Sequence, residues 1–257
     1  MTPPAIKICG IRSGAQAKAI VELGADAIGI NLYPRSKRYI ALEEAGKWLR
    51  DLATEVQRVA VVVNPSSDDL ARIRDSGLID WVQLHGDESP DQIATWIQQG
   101  YLADSTGLSL GPNRVRSSTQ QGIVTDSTGY SPRPDPVAPT GTQGSPWFKA
   151  MGIRDRAGLD RALAYQSPTL LLDAYAPNDY GGSGETMDWA LGALAVKGYP
   201  EREIILAGGL TADNVANAIA QVKPAGVDVA SGVESGPGIK DLAKVREFIQ
   251  MAREASS

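Results

Sequence analysis

Two apolar runs near the C-terminus, Ile204 to Ala207 and Val227 to Ala230, stop abruptly at small residues: Gly208-Gly209 after the first and Ser231-Gly232 after the second. Glycine lets a backbone approach a ligand closely, and helices starting at about Thr211 and Gly238 would turn unpaired N–H groups and positive dipole ends toward one place. A single helix-end contact is worth only about 0.3–2 kcal/mol, so the two turns are expected to hold a phosphate dianion together rather than singly. Other apolar runs end in reactive or polar side chains. Cys9 closes the first, Arg38 lies shortly after the second, His85 follows the fourth and Asp173 the sixth. A thiol, an arginine and a carboxylate therefore face a phosphate cradle, and the chemistry expected is that of a phosphorylated small molecule.

The elements that must bring these residues together alternate regularly. Strand candidates are Ile6 to Cys9, Ala27 to Leu32, Val59 to Val63, Trp81 to Leu84, Trp147 to Met151, Thr169 to Leu172, Ile204 to Ala207 and Val227 to Ala230. Helical patterns follow each of them: Gly14 to Leu23, Leu42 to Leu52, Asp68 to Asp75, Pro90 to Gln99, Arg156 to Tyr165, Met187 to Ala195, Ala212 to Gln221 and Ile239 to Ala252. Ser67 and Thr211 are placed to cap the third and seventh helices. Eight βα units predict a single α/β domain, a (β/α)8 TIM barrel spanning residues 1–257, in which consecutive glycine turns after strands 7 and 8 are the usual phosphate grip. Residues 102–146 break the alternation. They are rich in Ser, Thr, Gly, Pro and Asp, and read as a long polar insertion between helix 4 and strand 5, on the face opposite the active site. Gly122-Ile123-Val124 is a weak apolar cluster inside it, too short a signal for a strand to be expected, and a surface insertion is expected before a docking segment.

Composition removes several function classes. A net charge of -5 and a pI near 5.0, without a Lys/Arg cluster, argue against a nucleic-acid surface. No apolar run approaches the roughly 18 residues of a membrane span, and MTPPAIKICG lacks the pattern of a signal peptide, so a cytoplasmic protein is expected. With one cysteine and one histidine, neither a disulfide framework nor a Cys/His metal site is expected. Monomer and homodimer both stay open.

The strings Lys7-Ile8-Cys9-Gly10-Ile11, Ser36-Lys37-Arg38-Tyr39, Gln83-Leu84-His85-Gly86-Asp87-Glu88, Leu172-Asp173 with Gly181-Gly182-Ser183-Gly184, Ala207-Gly208-Gly209-Leu210 with Asn214-Val215, and Asp228 with Ser231-Gly232-Val233-Glu234 come in this order along nearly the whole chain. Together they resemble the phosphoribosylanthranilate isomerases of tryptophan biosynthesis. Residues 102–146 depart from the family, which usually joins helix 4 to strand 5 briefly. The resemblance implies an Amadori rearrangement without metal or organic cofactor. It implies Asp173 as general acid, Cys9 as general base and Arg38 as a planar fork for the anthranilate carboxylate. Gly208, Gly209, Ser231 and Gly232 would bind the phosphate, with Gly181 and Gly182 closing over it, while His85 and Asp228 would line the substrate. A thiol with an ordinary pKa of about 8.5 is only roughly 3% ionised at pH 7, so positive charge or helix dipoles are expected to lower the Cys9 value. The carboxyl of Asp173 would need the opposite shift, by about 3 units, to be half protonated at neutral pH.

Blander readings stand beside these. A lone strand-end cysteine is most often core, an aspartate at a strand end often caps a loop, and Arg38 out of context is one solvated cation among Lys7, Arg35 and Lys37. His85 reads as structural or substrate-lining before it reads as a proton shuttle. The carboxylate of Asp228, inside strand 8, points either into the barrel mouth or toward the helices. Two other functions compete. One is a phosphosugar isomerase of histidine biosynthesis or a dual-substrate relative, which resembles a pattern with aspartate where Cys9 stands. The other is a catalytically silent barrel acting through its insertion, against which stand both Cys9 and Asp173.

Overall fold

A computed structural model describes residues 3–52, 55–104, 144–175 and 186–255. Eight parallel strands close into a barrel in chain order: β1 (Ala5–Cys9), β2 (Ala27–Asn31), β3 (Gln57–Val62), β4 (Trp81–Leu84), β5 (Trp147–Ile153), β6 (Thr169–Ala174), β7 (Glu203–Leu206) and β8 (Gly226–Val229), with β8 pairing back onto β1. Each is followed by a helix: α1 (Gly14–Glu22), α2 (Leu42–Leu49), α3 (Ser67–Ser76), α4 (Pro90–Gln98), α5 (Arg156–Leu163), α6 (Trp189–Gly198), α7 (Ala212–Val222) and α8 (Leu242–Glu254). The expected barrel is thus the observed one. No helix among the described residues is long and apolar enough to cross a membrane.

Alternation along the strands sorts side chains into two cores. Ile6, Ile8, Ile28 and Ile30 face the helices and join the large outer cluster, while Ala27, Val59, Trp81, Phe148, Leu171 and Ile205 fill the lower interior. There the rings of Trp81 and Phe148 meet at 6.3 Å and 57°, a tilted arrangement favoured by the ring quadrupoles. Above this plug the interior turns polar. A lysine, a cysteine and an aspartate replace the aliphatic residues that such a barrel layer ordinarily carries.

Several boundaries differ from the expected ones. The cap of α3 is Ser66, not Ser67: its Oγ accepts from Asp69 N at 3.1 Å while Asp69 Oδ2 accepts from Ser66 N at 3.0 Å, and this reciprocal pair sets the start. Helix α6 starts at Trp189, two residues later than expected, because Asp188 caps it by accepting from Ala190 N. The largest shift is at α8, expected to start near Gly238. Residues Glu234–Gly236 (β9) and Ile239–Lys240 (β10) instead pair as a small antiparallel ribbon. Gly238 turns it at a left-handed φ of +75°, and Asp241 then caps α8. The turn after β8 is a short 3-10 segment, Ser231–Val233, and Asp241 N, at the cap of α8, donates to Val233 O at 2.9 Å.

The ends of the polar insertion belong to the framework. Leu102 bridges Ser145, Ala103 N donates to Ser145 O at 2.9 Å, and Trp147 Nε1 donates to Ala103 O at 3.0 Å. These contacts sit where β5 begins, at the N-terminal face of the barrel. Residues 105–143, including the Gly122-Ile123-Val124 cluster, lie outside the described residues, as do 176–185.

Candidate active site

The C-terminal ends of the strands surround one cavity of ≈ 610 Å³, counting its open mouth. Cys9, Arg38, His85, Asp173, Gly208, Gly209, Asp228, Ser231 and Gly232 all lie on its wall, so nine residues singled out from sequence share one site. Gly181 and Gly182, expected to close over the ligand, lie outside the described residues. Asn31, Val61 and Gln83 also line the cavity without having been expected as site residues.

Cys9 and Lys7 are two residues apart on β1 and therefore share its inward face. Their β2 neighbours in register are Gly29 and Ala27. A side chain at Gly29 would meet Cys9 Sγ at 2.7 Å and Lys7 Nζ at 3.1 Å, so the missing Cβ is what makes room for both. Lys7, in register with Asp228 on β8, donates to Asp228 Oδ1 at 2.8 Å, and both are buried. The Asp228 carboxylate thus points into the barrel mouth. Burial opposes the charge of Lys7, yet Asp228 and the Cys9 sulfur outweigh it and hold the ammonium above its ordinary pKa.

For Cys9 the expected balance is reversed. Burial pushes the thiol up, Lys7 pulls it down, Asp228 pushes it up again and Lys240 lowers it; the sum is upward. The positive charges anticipated from the mechanism are present, but desolvation of a thiolate exceeds what they return.

Across the mouth stands Asp173. Its Oδ1 accepts from Ala174 N at 2.8 Å, while Oδ2 lies 3.5 Å from His85 Nε2. Gln83 Nε2 is 3.1 Å from His85 Nδ1, so with that amide as donor the imidazole carries its proton on Nε2, facing the carboxyl. Gln83 Oε1 is buried without a hydrogen-bond partner among the described residues. The loop holding His85 is clamped from behind. Lys149, fully buried on β5, donates to Leu84 O, Gly86 O and Ala150 O at 3.1, 2.8 and 2.9 Å and pairs with Glu88 at 3.1 Å. Glu88 in turn accepts from Asn64 N and Gly86 N.

Arg38 is not a solvated cation. Its Nε and Nη2 each donate to Glu234 at 2.8 Å, a bidentate pair, and its side chain presses on Gly10, where any Cβ would collide with it. Lys240 Nζ also donates to Glu234 at 2.7 Å and to Ala230 O at 2.9 Å. Burial raises the Glu234 carboxyl, but the hydrogen bonds from Arg38 and Lys240 more than reverse this and hold it below its ordinary value. The fork expected for a substrate carboxylate therefore has its Nε–Nη2 edge on Glu234.

The two glycine turns touch each other. A Cβ on Gly232 would collide with Leu210 O, and one on Gly208 would strike the backbone of Ala174 and lie 2.9 Å from Asp173 Oδ1. Gly208 and Gly209 take left-handed φ values of +80° and +61°, which favour glycine. Asn214 locks the first turn, accepting from Thr211 N and donating to Gly209 O, both at 2.9 Å. Among the described residues no group of three or more His, Cys, Asp or Glu is placed to hold a metal ion.

The model of the N-(5'-phosphoribosyl)anthranilate (PRA) isomerase family matches residues 6–104 and 144–251. The chain belongs to that family. The family model passes over residues 105–143, the segment inserted between α4 and β5. Among PRA isomerases, the enzyme named from Trichlorobacter lovleyi is 38% identical over 97% of this chain and 98% of its own length. That from Geotalea uraniireducens is 37% identical over 96% and 98%. A solved PRA isomerase from Thermotoga maritima superposes with a TM-score of 0.73 at 30% identity, covering 99% of this chain and all of the other. A PRA isomerase structure in complex with reduced 1-(o-carboxyphenylamino)-1-deoxyribulose 5-phosphate superposes at 0.70, with 29% identity and coverage of 99% and 100%.

Sequence reasoning does not mark Lys7, Glu234, Lys240 or Lys149 as supports of the cavity wall, although Lys7 and Glu234 stand inside the strings that resemble the family. For Lys7 a signal existed: a lysine in the middle of the apolar run Ala5-Ile6-Lys7-Ile8-Cys9 needs a partner if the strand is buried, as it is.

Proposed function

We propose that this cavity converts N-(5'-phosphoribosyl)anthranilate into 1-(2-carboxyphenylamino)-1-deoxyribulose 5-phosphate, with Asp173 as acid and Cys9 as base. Asp173 gives a proton to the furanose ring oxygen, the bond from that oxygen to C1' breaks, and the anilino nitrogen lone pair forms a C1'–N iminium. The Cys9 thiolate then takes the C2' proton. The C–H electrons become the C1'–C2' double bond, the iminium π pair returns to nitrogen, and the enolamine tautomerises to the ketone. The anilino nitrogen is the electron source of the first step and the sink of the second, so proton transfers suffice.

The observation that carries this reading is placement: the single thiol and the Asp173 carboxyl stand on one cavity wall with the glycine turns of strands 7 and 8, in a chain of the PRA isomerase family. Gly208, Gly209, Ser231 and Gly232 take the phosphate, and His85 orients Asp173. The anthranilate carboxylate meets Arg38 from the cavity side, with Glu234 holding the guanidinium in place. Purified protein is expected to consume phosphoribosylanthranilate, followed as loss of its fluorescence. Cys9→Ser and Asp173→Asn should each slow turnover at least about a hundredfold, in line with the loss of a general base or acid; full activity in either variant would remove that residue from its role.

A further inference from the structure

A base of this kind works as a thiolate, and both burial and Asp228 disfavour a thiolate at Cys9. What stands closest in its favour is Lys7. Its ammonium shares with the sulfur the space above Gly29, on the same inward face of β1, and is anchored from the other side by Asp228. Resting on the assignment of Cys9 as base, we propose that Lys7 is its positioning residue: a buried ammonium that Asp228 aims at the sulfur and that serves as counter-charge once the thiol has ionised. Asp228 has two opposing effects here. It fixes Lys7 in place, and its own negative charge tempers how far Lys7 can act.

The arrangement explains a lysine in a barrel layer where apolar residues are usual. A buried ion pair is poor evidence for stability, since desolvation consumes most of its attraction. This pair has one unusual property: a third ionisable group, the reacting sulfur, lies beside the cation. Other charged or titratable groups face the same space. Lys240 approaches Cys9 from the β9–β10 ribbon, Arg38 lies over Gly10, and His85 and Asp173 stand across the mouth. None of these shares a strand face with the thiol as Lys7 does.

Cys9 is the only cysteine in the chain, so the ultraviolet absorbance of the thiolate, with Cys9→Ser as blank, titrates it directly in the free protein. Lys7→Met should move the thiol midpoint, and the acid limb of the kcat/KM profile, upward by at least about one pH unit, a tenfold loss of thiolate on the acid side. Asp228→Asn, which keeps an acceptor for Lys7 and removes a charge, should move both downward. Opposite signs are the signature, because a merely structural role would lower turnover in both variants without shifting either limb. An unmoved midpoint in folded Lys7→Met, or an upward one in Asp228→Asn, overturns the proposal. Should Lys7→Met fail to fold with Asp228 left unpaired, Lys7→Met/Asp228→Asn is titrated against Asp228→Asn alone, and equal midpoints overturn it. Failure of Cys9 as base would show separately, as turnover retained in Cys9→Ser.

Discussion

Both sides of the barrel mouth contain a buried lysine paired with a carboxylate, and the two pairs are built for different ends. On the β4–β6 side, Lys149 spends its donors on three backbone carbonyls and Glu88, behind the wall that carries His85. Burial lowers the pKa of that ammonium further than Glu88 restores it. On the β1/β8 side, Lys7 has a carboxylate on one flank and a thiol on the other, and its ammonium is held above its ordinary value. A lysine saturated by carbonyls holds a loop. One that shares its space with an ionisable sulfur can respond when that sulfur changes charge.

The contrast can be broken most forcefully at Lys149. Lys149→Met should destabilise the fold by about 3–5 kcal/mol, because it removes the counter-charge of the buried Glu88 carboxylate and a donor shared by three carbonyls, while lowering kcat of the folded fraction less than about tenfold. Urea denaturation with parallel kinetics checks this; a stable variant with collapsed turnover would make the two pairs alike. The next effect belongs to the glycine turns after β7 and β8. Gly232→Ala puts a methyl group into Leu210 O, separating the turns, and should raise KM at least about tenfold with a smaller change in kcat, the mark of lost ground-state binding. An unchanged KM would detach the turns from the substrate.

The smallest effect lies in acid. Glu234 is held below its ordinary carboxyl value by Arg38 and Lys240 against the pull of burial. A depressed folded pKa stabilises fully above the unfolded value of about 4.3 and loses that contribution as pH falls below it, through the folded value. Wild type should therefore lose on the order of 1 kcal/mol across that interval that Glu234→Gln does not. Parallel stability curves for the two proteins would show that the Arg38–Glu234 clamp carries no linkage.

The barrel was legible because each strand announces itself locally, as a short apolar run closed by small or polar residues, and so were the residues that end those runs. Boundaries failed where a local competitor intervened. The pairing of Ile239 with Gly236, turned by Gly238, moved the start of α8 to Leu242. Asp188 did the same on a smaller scale at α6. The pairing of Arg38 was not legible, since nothing near it in the chain announces Glu234.

By itself, the sequence determined the strand count, the strand ends that carry Cys9 and Asp173, and the two glycine turns, all of which follow from periodicity and backbone freedom within a few residues. Only the tertiary structure decided which groups touch. Lys7 meets Asp228 across 221 residues, and Arg38 meets Glu234 across 196. Such contacts depend on barrel closure and on the register that sets β8 beside β1. The ionisation of Cys9 depends on them in turn, because a charge acts on a buried sulfur through distance and desolvation, and neither quantity is defined until the chain has folded.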